Sequence, residues 1–241
     1  MKMLFIELKK ERRTGVVSVL LSVGFLGAAY AFLNFAVRGH NLLSLPLEPM
    51  DILLTQLYGM IMVLNMFAII LAACMIYNIE FGGNAIKKMY MLPVNSMEMF
   101  LGKFIILTVV FGIVIVVQNI ALALIGVNEL QTGEFIVGVL IKFAIYTFVT
   151  SMPVLSFMLF ISSRMENVWI PLGIGVAGFL SGMALANYES VFWLLHPFVV
   201  MLKPAVAMSA DVDIKVMCIA VVETITYLVT GLGFAKYLRY E

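Results

Sequence analysis

Long apolar runs alternate with short charged ones along this 241-residue chain. Six runs, at about 15–37, 52–79, 104–127, 135–162, 168–188 and 215–236, approach or exceed the roughly 20 residues a helix needs to cross a bilayer. None alternates apolar and polar positions as a barrel strand does, and backbone amides in hydrocarbon must be satisfied within the segment, so each run predicts a helix. The expected fold is all-α: a polytopic bundle of six transmembrane helices forming a single domain over 1–241. Composition agrees, since 63% of residues are hydrophobic and only 12% charged, with a mean hydropathy of +1.08. A soluble domain carries about a quarter charged residues.

The triplet Ala29-Tyr30-Ala31 after a basic start fits a secretory cleavage pattern, but the apolar run continues to Val37, too long for a secretory core, and it is read as the first span. Orientation follows from the basic residues. With the N-terminus inside, eleven Lys and Arg fall on the inner segments against Arg38, Lys203 and Lys215 outside, with Lys142 set apart. Both termini are then cytoplasmic in a multi-pass plasma-membrane protein. Residues 1–13 place Met1, Leu4, Phe5 and Leu8 at helical spacing, which predicts an N-terminal interfacial helix rather than a frayed basic tail.

Outside, residues 39–51 read as an irregular loop and 128–134 as a tight turn. The last outer connection differs, because 190–202 is apolar yet too short to span. It predicts a short re-entrant or interface-lying element between spans five and six, with Trp193 at headgroup depth. Gly178-x-x-x-Gly182, and Gly24 with Ala28 or Gly27 with Ala31, predict close helix contacts, more simply internal than at a dimer interface.

No Gly-x-x-x-x-Gly-Lys-Ser/Thr loop is present to cradle a nucleotide. His40 and His196 have no Cys or carboxylate neighbours at ligand spacing, so no metal is expected. Ser181-Gly182 faintly resembles an intramembrane serine protease motif, but it lacks a preceding Gly, and no histidine lies in a later span to serve as base. No catalytic residue and no cofactor is expected in this chain. A net charge of +1 gives no case for nucleic acid. Cys74 and Cys218 fall near opposite membrane faces and cannot pair; both read as small buried apolar residues.

Three polar residues interrupt the spans: Asn119, Lys142 and Glu223. Counted from the outer boundaries, Lys142 and Glu223 lie at about 12 Å depth, with Asn119 at a similar level. One reading joins them as an ion pair, the other has Lys142 snorkelling outward and Glu223 bonding within the bundle.

The segment from Glu80 to Lys103 is the most organised connection. Gly82-Gly83 loosens the chain, Asn84 can cap a helix over Ala85, Ile86, Lys87, Lys88, Met89, Tyr90, Met91 and Leu92, and Pro93 stops it. Asn95 with Glu98 forms a capping-box arrangement for the next helix. The prediction is a short cytoplasmic helix parallel to the membrane. The bland alternative is positive-inside charge on a surface loop.

The arrangement Glu80…Asn84…Lys87-Lys88…Leu92-Pro93-Val94…Gly102-Lys103 resembles the coupling segment of type-2 ATP-binding-cassette (ABC) exporter permeases, and the six-span layout is similar too. The resemblance implies that this helix binds a cytosolic ATP-binding subunit, present in two copies, which supplies the energy. It further implies a second permease, identical or homologous. In length the chain most resembles the permeases of lantibiotic and antimicrobial-peptide immunity, which implies export of an amphipathic substrate from membrane lipid. A rival reading is a secondary transporter with a Lys142/Glu223 ion relay.

Overall fold

The structure is a computed structural model and describes residues 7–8, 14–44, 46–81, 96–130, 133–188, 190–207 and 209–237, without the side chains of His40, Leu43, Lys236 and Tyr237. Among the described residues every regular element is helical. The helices α1 (Val16–Leu43), α2 (Pro49–Phe81), α3 (Ser96–Glu129), α4 (Val137–Ser162), α5 (Trp169–Leu185), α6 (Pro197–Val206) and α7 (Ile214–Tyr237) follow in order, with a 3₁₀ turn at Val191–Leu195. Five of them, α1 to α4 and α7, are long and apolar enough to cross a membrane; α5, at 17 residues, falls just short of that group.

Local chemistry explains the ends. Gly15 precedes α1 at φ 77°, a conformation open to glycine at little cost. Pro49 opens α2, where its missing N–H costs nothing, and a wide π turn at Ile52–Gln56 follows before the regular helix resumes at Tyr58. The Asp51 carboxylate accepts a 2.7 Å bond from the Ala210 N–H, tying this turn to the connection between α6 and α7. Helix α3 begins at Ser96 with Glu98 in its first turn, where a negative charge favours the helix N-terminus. At 34 residues it is about 50 Å long, against about 30 Å of bilayer hydrocarbon.

Helices α2 and α4 are the buried centre, while α1 and α7 are the most exposed of the long helices. On one side α1 and α3 pack together and on α2; on the other, α5, α6 and α7 close around α4. Tyr58 of α2 meets Phe143 of α4 edge to face at 5.3 Å. The outward faces carry Phe25, Leu33, Val109, Val116, Ile145 and Val229, all exposed. Such a rim suits an apolar surrounding, lipid or another membrane helix, rather than water.

The small residues serve contacts within the chain. A Cβ on Gly24 would meet Val114, and one on Gly27 would come 2.7 Å from Gln118, so α1 lies close along α3. In α5, Gly178 and Gly182 receive Phe198 of α6, and Gly175 receives Ile70 of α2. Lys203, one and a half turns after Phe198, donates to the carbonyls of Ala186 and Tyr188 at 2.8 and 3.1 Å and so caps the end of α5. Helix α6 therefore runs beside α5 in the same direction, and the chain between them turns back. Cys74 is buried as expected, but Cys218 is exposed on the outer face of α7, a correction to its reading as a buried residue.

Candidate functional site

The two ends of the 80–103 segment meet. Glu80 closes α2 and Lys103 lies two turns inside α3, and the Lys103 Nζ donates to Glu80 Oε1 at 2.8 Å. The same ammonium donates to Glu7 Oε2 at 2.9 Å, and it sits over the Tyr77 ring, 5.4 Å from its centroid. All three charged side chains are essentially inaccessible, at 0 to 1% exposure. Glu80 follows Tyr77 by three residues, so α2 presents both on one face. Gly102 lets the Glu7 side chain pass, with its Cγ 3.6 Å from where a Cβ would stand.

An ammonium has three donors and no acceptor, so a buried lysine survives only where acceptors surround it. Here two carboxylates from distant segments do so, and the ion cluster bonds the N-terminal segment, the end of α2 and the start of α3 at one point. Removing one member of such a cluster is costly, because the remaining charges stay buried.

Sequence reasoning placed Glu80 and Lys103 at the borders of the segment without joining them, and treated Lys103 as one more inner positive charge. The structure corrects that reading. Of the N-terminal segment only two residues are described, Leu8, which is half exposed, and Glu7, which is buried and was not singled out. Gly102 beside Lys103 was the available signal of a close approach. Residues Asn84 to Pro93, with the expected helix over 85–92, lie outside the described residues, as does most of the N-terminal helix.

Deeper in the bundle, Asn65 of α2 and Gln118 of α3 exchange two amide hydrogen bonds of 2.8 and 2.7 Å, both fully buried. Paired amides are how a membrane bundle carries polar groups cheaply. The sequence reading had singled out Asn119 instead. Asn119 is buried, its Nδ2 donates to the Ile115 carbonyl at 2.8 Å, and its Oδ1 has no partner.

Lys142 and Glu223 are not brought together. Lys142 is exposed on α4, whereas Glu223 is buried on α7 with its Oε2 unpartnered, and no ion pair joins them among the described residues. The cause lies in the packing of α4 on α7. Phe157 meets Tyr227 at 5.2 Å and Phe160 meets Phe234 at 5.6 Å, so the two helices run in the same direction. Counting back one turn from Phe157 and Tyr227 sets Glu223 opposite Pro153. Lys142 is eleven residues earlier, about 16 Å along the helix. The ion relay loses its pair.

His196, the histidine missed as a neighbour of Ser181, lies with its Nε2 3.2 Å from the Ser181 Oγ. The same hydroxyl lies within hydrogen-bond reach of the Ala177 and Gly178 carbonyls, at 2.9 and 3.0 Å. The His196 Nδ1 has no partner to orient it, and burial holds the imidazole below its usual pKa. A serine beside a ring with no orienting acid lacks the third member of a nucleophilic triad. No group of three or more His, Cys, Asp or Glu that could hold a metal occurs among the described residues.

No curated protein matches the chain. A family described as ABC-2 family transporter protein matches residues 3–182, which takes in the ion cluster, the 80–103 segment and helices α1 to α4. That match covers well over half of the chain, and this multi-pass membrane protein belongs to the ABC-2 family of transporters, as a membrane permease subunit that works with a separate ATP-binding subunit.

Proposed function

We propose that the chain is an export permease whose 80–103 segment receives the push of the ATP-binding subunit and passes it to the bundle through Lys103. The observation that carries the reading is the buried contact of Lys103 with Glu80 and Glu7. It clamps both ends of the segment that the sequence singles out for a partner, so a displacement of 85–92 would reach α3 directly. The partner binds through Asn84, Ala85, Ile86, Lys87, Lys88, Met89, Tyr90, Met91, Leu92 and Pro93, while Glu80, expected from the sequence to join them, is buried against Lys103 and anchors the segment instead. Residues 1–241 form one permease domain of six spans, with α5 as the fifth despite its 17 residues and α6 as a re-entrant element capped back onto α5 by Lys203. Both termini are cytoplasmic.

Two such permeases, identical or homologous, pair with two ATP-binding subunits. The substrate is an amphipathic peptide of the lantibiotic class, leaving the membrane outward for immunity or resistance. Family membership supports the permease role, and the layout of the helices is what the subfamily reading rests on. The test is to reverse the charge of Lys87 and Lys88, and separately to replace Ile86 by Pro. Both variants insert into the membrane normally and lose co-purification of the ATP-binding subunit and peptide export. Unchanged association in both variants overturns the assignment.

A further inference from the structure

Two clasps join α2 to α3. At the end that carries the ion cluster, Lys103 bonds Glu80; fifteen residues along each helix, about 22 Å away, the Asn65 and Gln118 amides bond each other. Helix α1 lies against the second clasp, where a Cβ on Gly27 would stand 2.7 Å from the Gln118 Nε2. Further out, Leu53 of α2 reaches α3 at Gly126, where a Cβ would stand 3.1 Å from the Leu53 Cδ2. Directional bonds of 2.7–2.8 Å resist shear as well as separation, so α2 and α3 are pinned to each other at two heights with α1 seated on them.

Contacts from these three helices to α4–α7 change character with depth. At the end away from the ion cluster they are directional. The Asp51 carboxylate accepts the Ala210 N–H at 2.7 Å, a charge-assisted bond, and Tyr58 meets the Phe143 ring edge to face and has Thr147 of α4 as a hydrogen-bond partner. In the half nearer the cluster they are soft. Ser162 Oγ reaches Cys74 Sγ at 3.8 Å and Thr108 Oγ1 reaches Met152 Sδ at 3.9 Å, and sulfur is a weak acceptor. Ile70 rests on Gly175 and Phe100 on Gly231, where dispersion holds the surfaces together without fixing a direction. Between Asp51 and Tyr58 lies the π turn at Ile52–Gln56, the kind of interruption at which long helices bend.

We infer that α1, α2 and α3 move as one block, and that this block pivots against α4–α7 about the Asp51–Ala210 bond and the π turn beside it. Displacement about a pivot grows with distance from it, so the ion-cluster end moves most and the contacts there slide. The inference concerns the motion of the bundle itself and stands apart from the export reading.

The test measures distances by electron paramagnetic resonance between spin labels on cysteines placed in pairs at exposed positions. It uses the full chain with Cys74 and Cys218 replaced by alanine, diluted with unlabelled chain in phosphatidylglycerol nanodiscs, without nucleotide. Ile79 with Ile105 lies within the block, Ile105 with Val229 crosses to α7 toward the ion-cluster end, and Val127 with Ile214 crosses near the pivot. The Ile105–Val229 distribution should be about twofold broader than the other two. Asp51→Ala removes the acceptor and should broaden the Val127–Ile214 pair about twofold while Ile79–Ile105 keeps its width; Asp51→Asn, which retains an acceptor oxygen, should restore the narrow distribution. Three equal widths overturn the inference, as does an Ile79–Ile105 pair as broad as Ile105–Val229, or an Asp51→Ala chain whose Val127–Ile214 pair stays narrow. Where Asp51→Ala does not fold, the three widths in the chain that keeps Asp51 decide alone. A chain that brings no ATP-binding subunit with it on purification sinks the export reading and leaves this comparison standing.

Discussion

Lys103 and Glu223 are both ionisable residues buried within helices long enough to cross a membrane, and the fold treats them oppositely. Lys103 is held by two carboxylates from segments 96 and 23 residues away. Glu223 keeps an oxygen without any partner. A third charge, Lys142, is simply exposed, its stem free to carry the ammonium toward headgroups. The difference teaches that a charge inside an apolar helix is not one kind of feature. Where acceptors converge from other segments it is a weld, where none does it is an isolated group, and where the side chain is long and outward it is surface.

The largest expected effect breaks the weld. Lys103→Met takes the shared ammonium from two buried carboxylates, which costs about 3–5 kcal/mol; thermal unfolding in detergent should show a large fall in melting temperature or no folded protein. A melt within a degree or two of the unaltered protein would make Lys103 no different from Lys142. An intermediate effect is expected from Gln118→Leu, which leaves the buried Asn65 amide unsatisfied at a cost of about 1–3 kcal/mol. The smallest belongs to Glu223→Gln, below about 1 kcal/mol, because Oε2 has no bond to lose. A fall as deep as that of Lys103→Met would show that Glu223 is a weld as well.

Helix type and approximate position were legible, because hydrophobic length in a lipid-solvated chain leaves the backbone no alternative. The contacts of Gly178 and Gly182 were legible as internal packing. The start of helix α3 at Ser96 was legible in the Asn95/Glu98 capping pattern, but its apolar span was read only from 104, since Lys103 looked like a boundary charge. What neutralises it comes from Glu7 and Glu80, and no local window sees that. Asn65 and Gln118 escaped notice for the same reason, being 53 residues apart. The depths assigned to Lys142 and Glu223 assumed that α4 and α7 begin at one level, and only the ring contacts at Tyr227 and Phe234 fix their relative height.

The central claim is that the Glu7–Lys103–Glu80 cluster transmits motion of the 80–103 segment to α3. The direct measurement is peptide-stimulated ATP hydrolysis by the assembled transporter carrying Glu7→Gln, Glu80→Gln and Lys103→Met together, an exchange that removes the charges without leaving one buried alone. The prediction is a folded permease that still co-purifies with its ATP-binding subunit but loses peptide stimulation. Full stimulation in that assembled variant would contradict the account.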